Sequence, residues 1–444
     1  MQIKEELGAS TTNSYLKEYT DGASNKHLMY FVNKNVLLSK NMLKEMVKYN
    51  YVEFCDKFDR PVDNLPSNIE YIKFGSYFNE SVDNLPINLK ELHFGDYFNN
   101  PIDYLPKGLK VISFGKYFNK TLNDKLPEGL ESIIFADNFN KQIDYLPKGL
   151  ISLTFGSDFN QPLCNILPSG LQNITFGIHF NQSVDNLPSG LKSLDFAGKY
   201  VAGYFNQPVD NLPLGLQDII FGNSFNQPVD NLPKNLKNLE FGRKFNQPVD
   251  NLPTGLEKLK FKNEFNQSVD NLPSGLLNLS FGDYFNQSVD NLPTGLQELK
   301  FGLCFNQSVD NLPTGLKKIS FGYSFEHLVD NLLTGLKELV FGGSFDQPID
   351  NLPEGLQDLT FGDSFDKPVN NLPLGLQVLT FDRWFNQSVD NLPIGLKNLK
   401  FGYHFNQPLD NLPKGLETLT LSETYNKPLN NLPVSVKIIR VKYY

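Results

Sequence analysis

From Phe58 onward one pattern of apolar and polar positions returns about every twenty residues. Copies open at Phe58, Phe78, Phe98, Phe118, Phe139, Phe159, Phe180, Phe205 and Phe225, then at every twentieth residue to Phe405, and Tyr425 opens the nineteenth. In the copy from Phe285 to Cys304 the apolar positions are Phe285, Val289, Leu292, Leu296, Leu299 and Phe301. The alternation that ends in Leu299-Lys300-Phe301 predicts a short strand. Such a strand has no partner within its own copy, so it is expected to pair with its equivalent in the next copy. The result is a mainly β solenoid with a parallel sheet along its length. The stretch from Phe285 to Pro293 is too short and proline-bearing for a helix, which predicts an extended, turn-rich outer side. Leu292-Pro293-Thr294-Gly295 reads as a type I turn with Pro second and Gly fourth. Asn replaces that Gly at Asn68, Asn88 and Asn235, which predicts a left-handed backbone there.

Departures from the period mark where to look further. The copies from Phe118 and Phe159 are one residue longer, and the copy from Phe180 is five longer, around Lys199 to Gly203. That insertion reads either as a binding loop or as a tolerated bulge. Leu328 and Leu333 replace the usual outer residues in the copy from Phe325 and are a candidate second contact. All four methionines lie within the first 46 residues, so a boundary is drawn near residue 50, between a segment 1–50 and a solenoid 51–444. Residues 1–30 are polar and expected to lack fixed structure in part. The spacing of Leu37, Leu38, Met42, Leu43, Met46 and Val47 predicts an amphipathic helix over Leu38–Tyr49, read as a cap over the first strand or, alternatively, as a degenerate adaptor-motif remnant of F-box type or a partner-binding helix. Val436–Tyr444 reads as a last strand. Lys437, Arg440 and Lys442 either discourage pairing at its edge or leave that edge to self-association.

Charge and cysteine content narrow the function classes. A formal net charge of −9 disfavours non-specific phosphate binding, so no nucleic-acid partner is expected. Cys55, Cys164 and Cys304 are odd in number and widely spaced, which argues against a disulfide framework or a zinc site. The N-terminus has no signal-type apolar run and no stretch is long enough to span a membrane, which sets an intracellular, cytoplasmic expectation. Glycosylation sequons at Asn181, Asn266, Asn286, Asn306 and Asn386 share one position of the copy. If that position is packed, synthesis inside the cell avoids glycans lodged in the fold.

No constellation points to catalysis or to a cofactor. Asp-Asn pairs such as Asp290-Asn291 recur in most copies, whereas catalytic carboxylates belong to one site, so they are read as binding turn backbone. His27, His93, His179, His327 and His404 lack metal-ligand spacing. Cys304 has no nearby His at fixed spacing. Glycines such as Gly282 and Gly302 follow the strand without a phosphate-loop pattern; Lys262 and Asp382 replace them, which favours close packing over positive φ.

Recognition of a protein partner is expected on the inner face of the solenoid, which the sheet lines, where the copies differ. The residue between Leu and Phe of the strand and the residues just after the Phe vary strongly, while the remaining columns repeat. Packing fixes the repeated columns and leaves the varied ones free. Tyr77, Tyr97 and Tyr117 occupy equivalent sites in consecutive copies and should stack as a ladder. Trp384, Tyr403, Arg383, Tyr323 and His404 gather on the same face and are of types enriched in interface hot spots. These eight residues are the candidate partner-binding set.

The Leu-Pro-x-x-Leu-x-x-Leu-x-Phe core resembles the twenty-residue class of leucine-rich repeat. The fuller Phe-Asn-Gln-Pro-Val-Asp-Asn-Leu-Pro-x-Gly-Leu is similar to the FNIP repeat, a family found in social amoebae and in giant viruses of amoebae. The resemblance covers about residues 50–444. It implies a leucine-rich-repeat-like scaffold that binds proteins and, since FNIP repeats often follow an F-box, substrate recognition for a cullin-type ubiquitin ligase. Residues 1–50 carry no clear F-box start. Leucine-rich repeats place an Asn three residues after the strand's last apolar position; here that position varies and the regular Asn follows two residues later, as at Asn286 and Asn306. We read this as an inserted Phe column that displaces the Asn ladder.

Overall fold

The computed structural model describes residues 14–20, 26–122, 126–163, 166–198, 202–434 and 436–442. The chain divides into two compact units, residues 1–225 and 226–444. Each is a parallel β-solenoid.

The first unit begins with β1 (Ser14–Thr20) and β2 (Lys26–Val32), which pair antiparallel. A hairpin therefore stands where the polar composition suggested irregular chain; residues 1–13 lie outside the described set. Helix α1 (Lys40–Met46) follows, shorter at both ends than Leu38–Tyr49. It starts where the Ser39 side chain accepts the Met42 N–H at 3.3 Å, an N-cap, and it buries Met42 and Met46. β2 then pairs parallel with β3 (Tyr51–Phe54), and β3 with Tyr71–Lys73. From there one three-residue strand per copy continues, in register, to Asp218–Ile220. The second unit repeats this from Asn238–Glu240 to Asn398–Lys400, and ends in two longer strands, Thr418–Ser422 and Lys437–Val441.

Each three-residue strand from Glu91–His93 to Asn398–Lys400 buries its middle residue alone. Leu299 pairs with Ile319 and both are buried, while Glu298, Lys300, Lys318 and Ser320 flank them on the open face. All six apolar columns of the copy from Phe285 are buried. The two Phe columns lie side by side: Phe281, near the end of one copy, stacks at 3.7 Å on Phe285, which opens the next, and each ring stacks on its equivalent one copy on at 5.7 Å (Phe301) and 6.1 Å (Phe305). The Asn ladder runs beside them. Asn286 Oδ1 accepts the Asn306 N–H at 2.8 Å and the Gln307 amide at 3.1 Å. The ladder has moved with the Phe column, and the sequon asparagines are engaged in it.

Three sequence readings change. First, the proline turn closes one residue later than expected: the Leu296 N–H donates to Pro293 O at 3.1 Å, so Pro opens the turn and Thr294-Gly295 form its centre. Second, the Gly-or-Asn site is not left-handed, since among the described glycines only Gly198 has positive φ (54°). In some copies the carbonyls of the preceding copy crowd the site: a Cβ on Gly315 would lie 2.8 Å from Thr294 O and 3.1 Å from Leu296 O, whereas at Gly108, Gly295 and Gly415 it would meet the preceding copy at ordinary contact, 3.5 to 3.9 Å. Asn fits because its amide donates to those carbonyls, as Asn88 does to Ser67 O (2.9 Å) and Asn68 to Tyr49 O (3.0 Å). Third, the Asp-Asn pairs bind each other between copies rather than turn backbone alone. Asn291 Nδ2 donates to Asp270 Oδ1 at 3.1 Å, and Ser268 Oγ donates to Asp270 Oδ2 at 2.8 Å. These two bonds, the Ser hydroxyl first, hold the Asp270 carboxyl below the usual range.

The glycine column after the strand is close-packed, as expected: a Cβ on Gly302 would collide with Gly282 O and C. At the last strand Arg440 does not guard the edge. Its guanidinium turns inward, donates to Ser422 O (2.9 Å) and Tyr425 O (3.1 Å), and lies over the Tyr425 ring.

Candidate partner-binding face

Packing leaves two kinds of column uncommitted: the strand residues that flank the buried one, and the two residues of the tight turn after the Phe-Gly step. The turn is positioned by a backbone ladder. Ser344 N–H donates to Tyr323 O, Ser364 N–H to Gly343 O, Trp384 N–H to Asp363 O and His404 N–H to Arg383 O, at 2.8 to 3.0 Å. Since the backbone ladder needs no particular side chain, these columns can vary freely.

In the second unit the variation concentrates aromatic rings. Trp384 and His404 stack at 4.0 Å and 8°, and Tyr403 meets His404 edge-on at 4.8 Å. The Arg383 guanidinium lies 5.8 Å from the Trp384 ring. Trp384 remains 52% exposed and Tyr403 38%, so the cluster has surface left to bury. Tyr323 is not part of this contact. It stands three copies earlier, exposed, with its ring against Gly343.

In the first unit Tyr77 and Tyr97 stack at 5.0 Å and 10°, and Tyr97 meets Tyr117 at 5.0 Å and 32°. The tyrosines therefore pack on neighbouring copies while staying exposed. Lys116 lies over Tyr117. A separate polar cluster lies on the strand face: His93 Nδ1 bonds Ser113 Oγ at 2.7 Å, and the Tyr71 ring packs on His93 at 5.1 Å. Lys73 pairs with the buried Glu53 at 2.9 Å. Among the described residues no three His, Cys, Asp or Glu side chains group as metal ligands would. No described helix is long and apolar enough to cross a membrane.

Of the other expected features, Leu328 is exposed. Residues 199–201 of the insertion, and Cys164, lie outside the described set. The insertion is entered through Asp195, whose carboxylate accepts the N–H groups of Ala197 (2.7 Å) and Gly198 (3.1 Å).

Sequence reasoning missed the acidic neighbours of the aromatic cluster. Asp363 precedes Arg383 in the same turn column, and Asp382 occupies the glycine column. Asp382 is exposed by area, yet partial desolvation first, and the Asp363 carboxylate second, push its carboxyl up. Asp358, on the strand face, is raised by burial and then by Glu338. The distribution of charge along the chain would have found them. Residues 338–384 hold eight acidic and two basic side chains, against a net −9 for the whole chain.

A family model described as FNIP Repeat matches residues 81–117, 118–158, 144–177, 159–199, 205–244, 228–264, 265–304 and 385–424. Among solved structures the chain is similar to CroV588 of the giant virus CroV, described as a novel circular leucine-rich-repeat protein. That match has 33% identity and a TM-score of 0.67 over 90% of this chain and 73% of that one. It is also similar to YopM from Yersinia enterocolitica WA-314, at 18% identity and a TM-score of 0.44 over 90% of this chain and 93% of that one. Among curated proteins the sequence finds no match.

Proposed function

Because this chain belongs to the FNIP repeat family and folds as a solenoid of leucine-rich-repeat type, we propose that it is a protein-interaction scaffold whose partner docks on the turn columns around Trp384. Solenoids of this type are typical protein-interaction scaffolds. The observation that carries the reading is the cluster of exposed Arg383, Trp384 and Tyr403 with half-buried His404 on columns that packing leaves free. Trp, Tyr and Arg supply large, rigid contact area at low entropic cost, so each central one is expected to contribute about 2 kcal/mol or more. The Tyr77–Tyr97–Tyr117 ladder and Tyr323 are the secondary candidates.

The test is affinity capture from amoebal lysate by the full chain and by Trp384→Ala/Tyr403→Ala. A protein retained by the first and lost by the second supports the reading; equal retention by both refutes the patch. The same capture, repeated without residues 1–50, examines the narrower ligase reading that comes from the family resemblance. Recovery of Skp1-like and cullin proteins only with residues 1–50 present supports it, and their absence from both refutes it. An intracellular setting, the host cytoplasm if the source is viral, fits the engaged sequon asparagines. Asn181, Asn266, Asn286, Asn306 and Asn386 each accept the N–H one copy on.

A further inference from the structure

The surface beside Trp384 is not neutral, and its charge changes sign there. Residues 338–384 carry eight acidic and two basic side chains, whereas residues 385–444 carry four acidic and seven basic ones. On the open columns of the first stretch stand Glu338, Asp358 and Asp363, and Asp382 stands exposed in the glycine column beside them. One of the four has a lysine partner, Glu338 with Lys318 at 2.5 Å. The side chains between Tyr323 and Trp384 in the two turn columns are small. Gly343, Ser344, Asp363 and Ser364 are half-buried and form a floor, with Tyr323 resting on Gly343 at one end and Arg383 and Trp384 exposed at the other.

Resting on the reading that the Trp384 face is the docking site, we infer that the partner reaches it through a basic segment. Its lysine or arginine side chains enter the Tyr323–Trp384 floor, meet Asp363 and Asp382, and pack their stems on Tyr323 and Trp384. Three features of the surface select this occupant. An acidic or neutral strand would leave Asp363 and Asp382 facing like charge or covered without a partner, which is costly. The cationic head and long apolar stem of lysine and arginine match a floor of carboxylates between aromatic rings. Burial first, and then the carboxylates of Glu338 and Asp363, raise the carboxyls of Asp358 and Asp382, and an incoming cation relieves the second of these causes.

The chain has one tryptophan, so Trp384 emission reports directly on the site. The probes are nona-lysine, unlabelled for the tryptophan readout and fluorescein-labelled for anisotropy, and nona-glutamate, all with the full chain. Nona-lysine should change Trp384 emission saturably and should weaken as salt rises from about 0.05 to 0.5 M. Asp363→Asn/Asp382→Asn should weaken it roughly tenfold, while Asp144→Asn/Glu264→Gln, which removes two exposed carboxylates elsewhere, should leave it unchanged. Equal binding of nona-glutamate, or no effect of Asp363→Asn/Asp382→Asn, overturns the inference. A captured partner lost by Trp384→Ala/Tyr403→Ala but kept by Asp363→Asn/Asp382→Asn overturns the basic segment alone. A partner indifferent to both pairs overturns the docking site itself.

Discussion

Phe301→Ala probes the stacking that holds the copies together. The ring is buried and lies 3.7 Å from Phe305, which opens the next copy, and 5.7 Å from Phe281 and 5.6 Å from Phe321, its equivalents on either side. Removing a buried Phe side chain costs about 3–5 kcal/mol through lost transfer energy and the cavity left behind. The three ring pairs account for about 0.5–1.5 kcal/mol each within that figure. Phe301→Leu keeps most of the apolar volume and loses the ring pairs, so it should cost about 1–3 kcal/mol. Leu421 already takes this column's place in the copy that ends in Thr418–Ser422. A solenoid of this length need not unfold in one step, so the assay must be local. Native-state hydrogen exchange provides it through amides whose acceptors lie in the next copy: Phe301 to Ser320 O and Phe321 to Val340 O, both 2.8 Å, and the distant Phe401 to Thr420 O, 3.0 Å. Phe301→Ala should speed exchange at Phe301 and Phe321 by about two to four orders of magnitude, at about 1.4 kcal/mol per tenfold. Phe401 should change far less. Equal loss at all three amides would refute nearest-neighbour stacking, and a cost below about 1 kcal/mol would refute the role given to the rings.

Three further outcomes follow from the columns. Asn286→Ala leaves the Asn306 N–H without its acceptor and should cost about 1–3 kcal/mol in a urea melt; Asn286→Asp should cost less, because Asp346 already accepts the Asp366 N–H at this position (2.9 Å). Gly302→Ala drives a Cβ into the Gly282 carbonyl and should cost about 1–3 kcal/mol by the same melt, the native Lys262 and Asp382 showing that the backbone yields somewhat. The carboxyls of Asp185, Asp270, Asp310 and Asp390 are held low by serine hydroxyls and then by asparagine amides, so their stabilisation is complete above the ordinary Asp range near 3.9 and is lost as pH falls through their lower folded values. Urea midpoints should therefore drop below about pH 4, less steeply in Ser268→Ala/Ser308→Ala; the raised carboxyls of Asp358 and Asp382 act with the opposite sign, since protonation relieves them.

The solenoid was legible because its signal is repeated nineteen times. A column that returns as Phe, Val, Leu, Leu, Leu, Phe can be nothing but core. What composition alone could not separate was two causes with one signature. Gly315 and Asn88 fit both a left-handed turn and a carbonyl-crowded site, and only the distances to the preceding copy decide between them. The Asp-Asn pairs failed as a reading for a similar reason: Asn291 meets Asp270 of the copy before, a partner that one copy read by itself does not contain. The hairpin of β1 and β2 was hidden by averaging over residues 1–30, although Lys26–Val32 is mostly apolar. At the candidate face the aromatic residues were visible as types. The stacking of Trp384 on His404, and the separation of Tyr323 from both, depend on which copies adjoin and which way each turn projects.

The account turns on whether the varied columns around Trp384 hold a protein. Affinity capture by the full chain, side by side with Trp384→Ala/Tyr403→Ala, measures this most directly, with exchange at the Phe401 amide confirming that the variant is folded. The account predicts a captured protein that the variant loses while Phe401 keeps its protection. Capture unchanged by the two substitutions would contradict it.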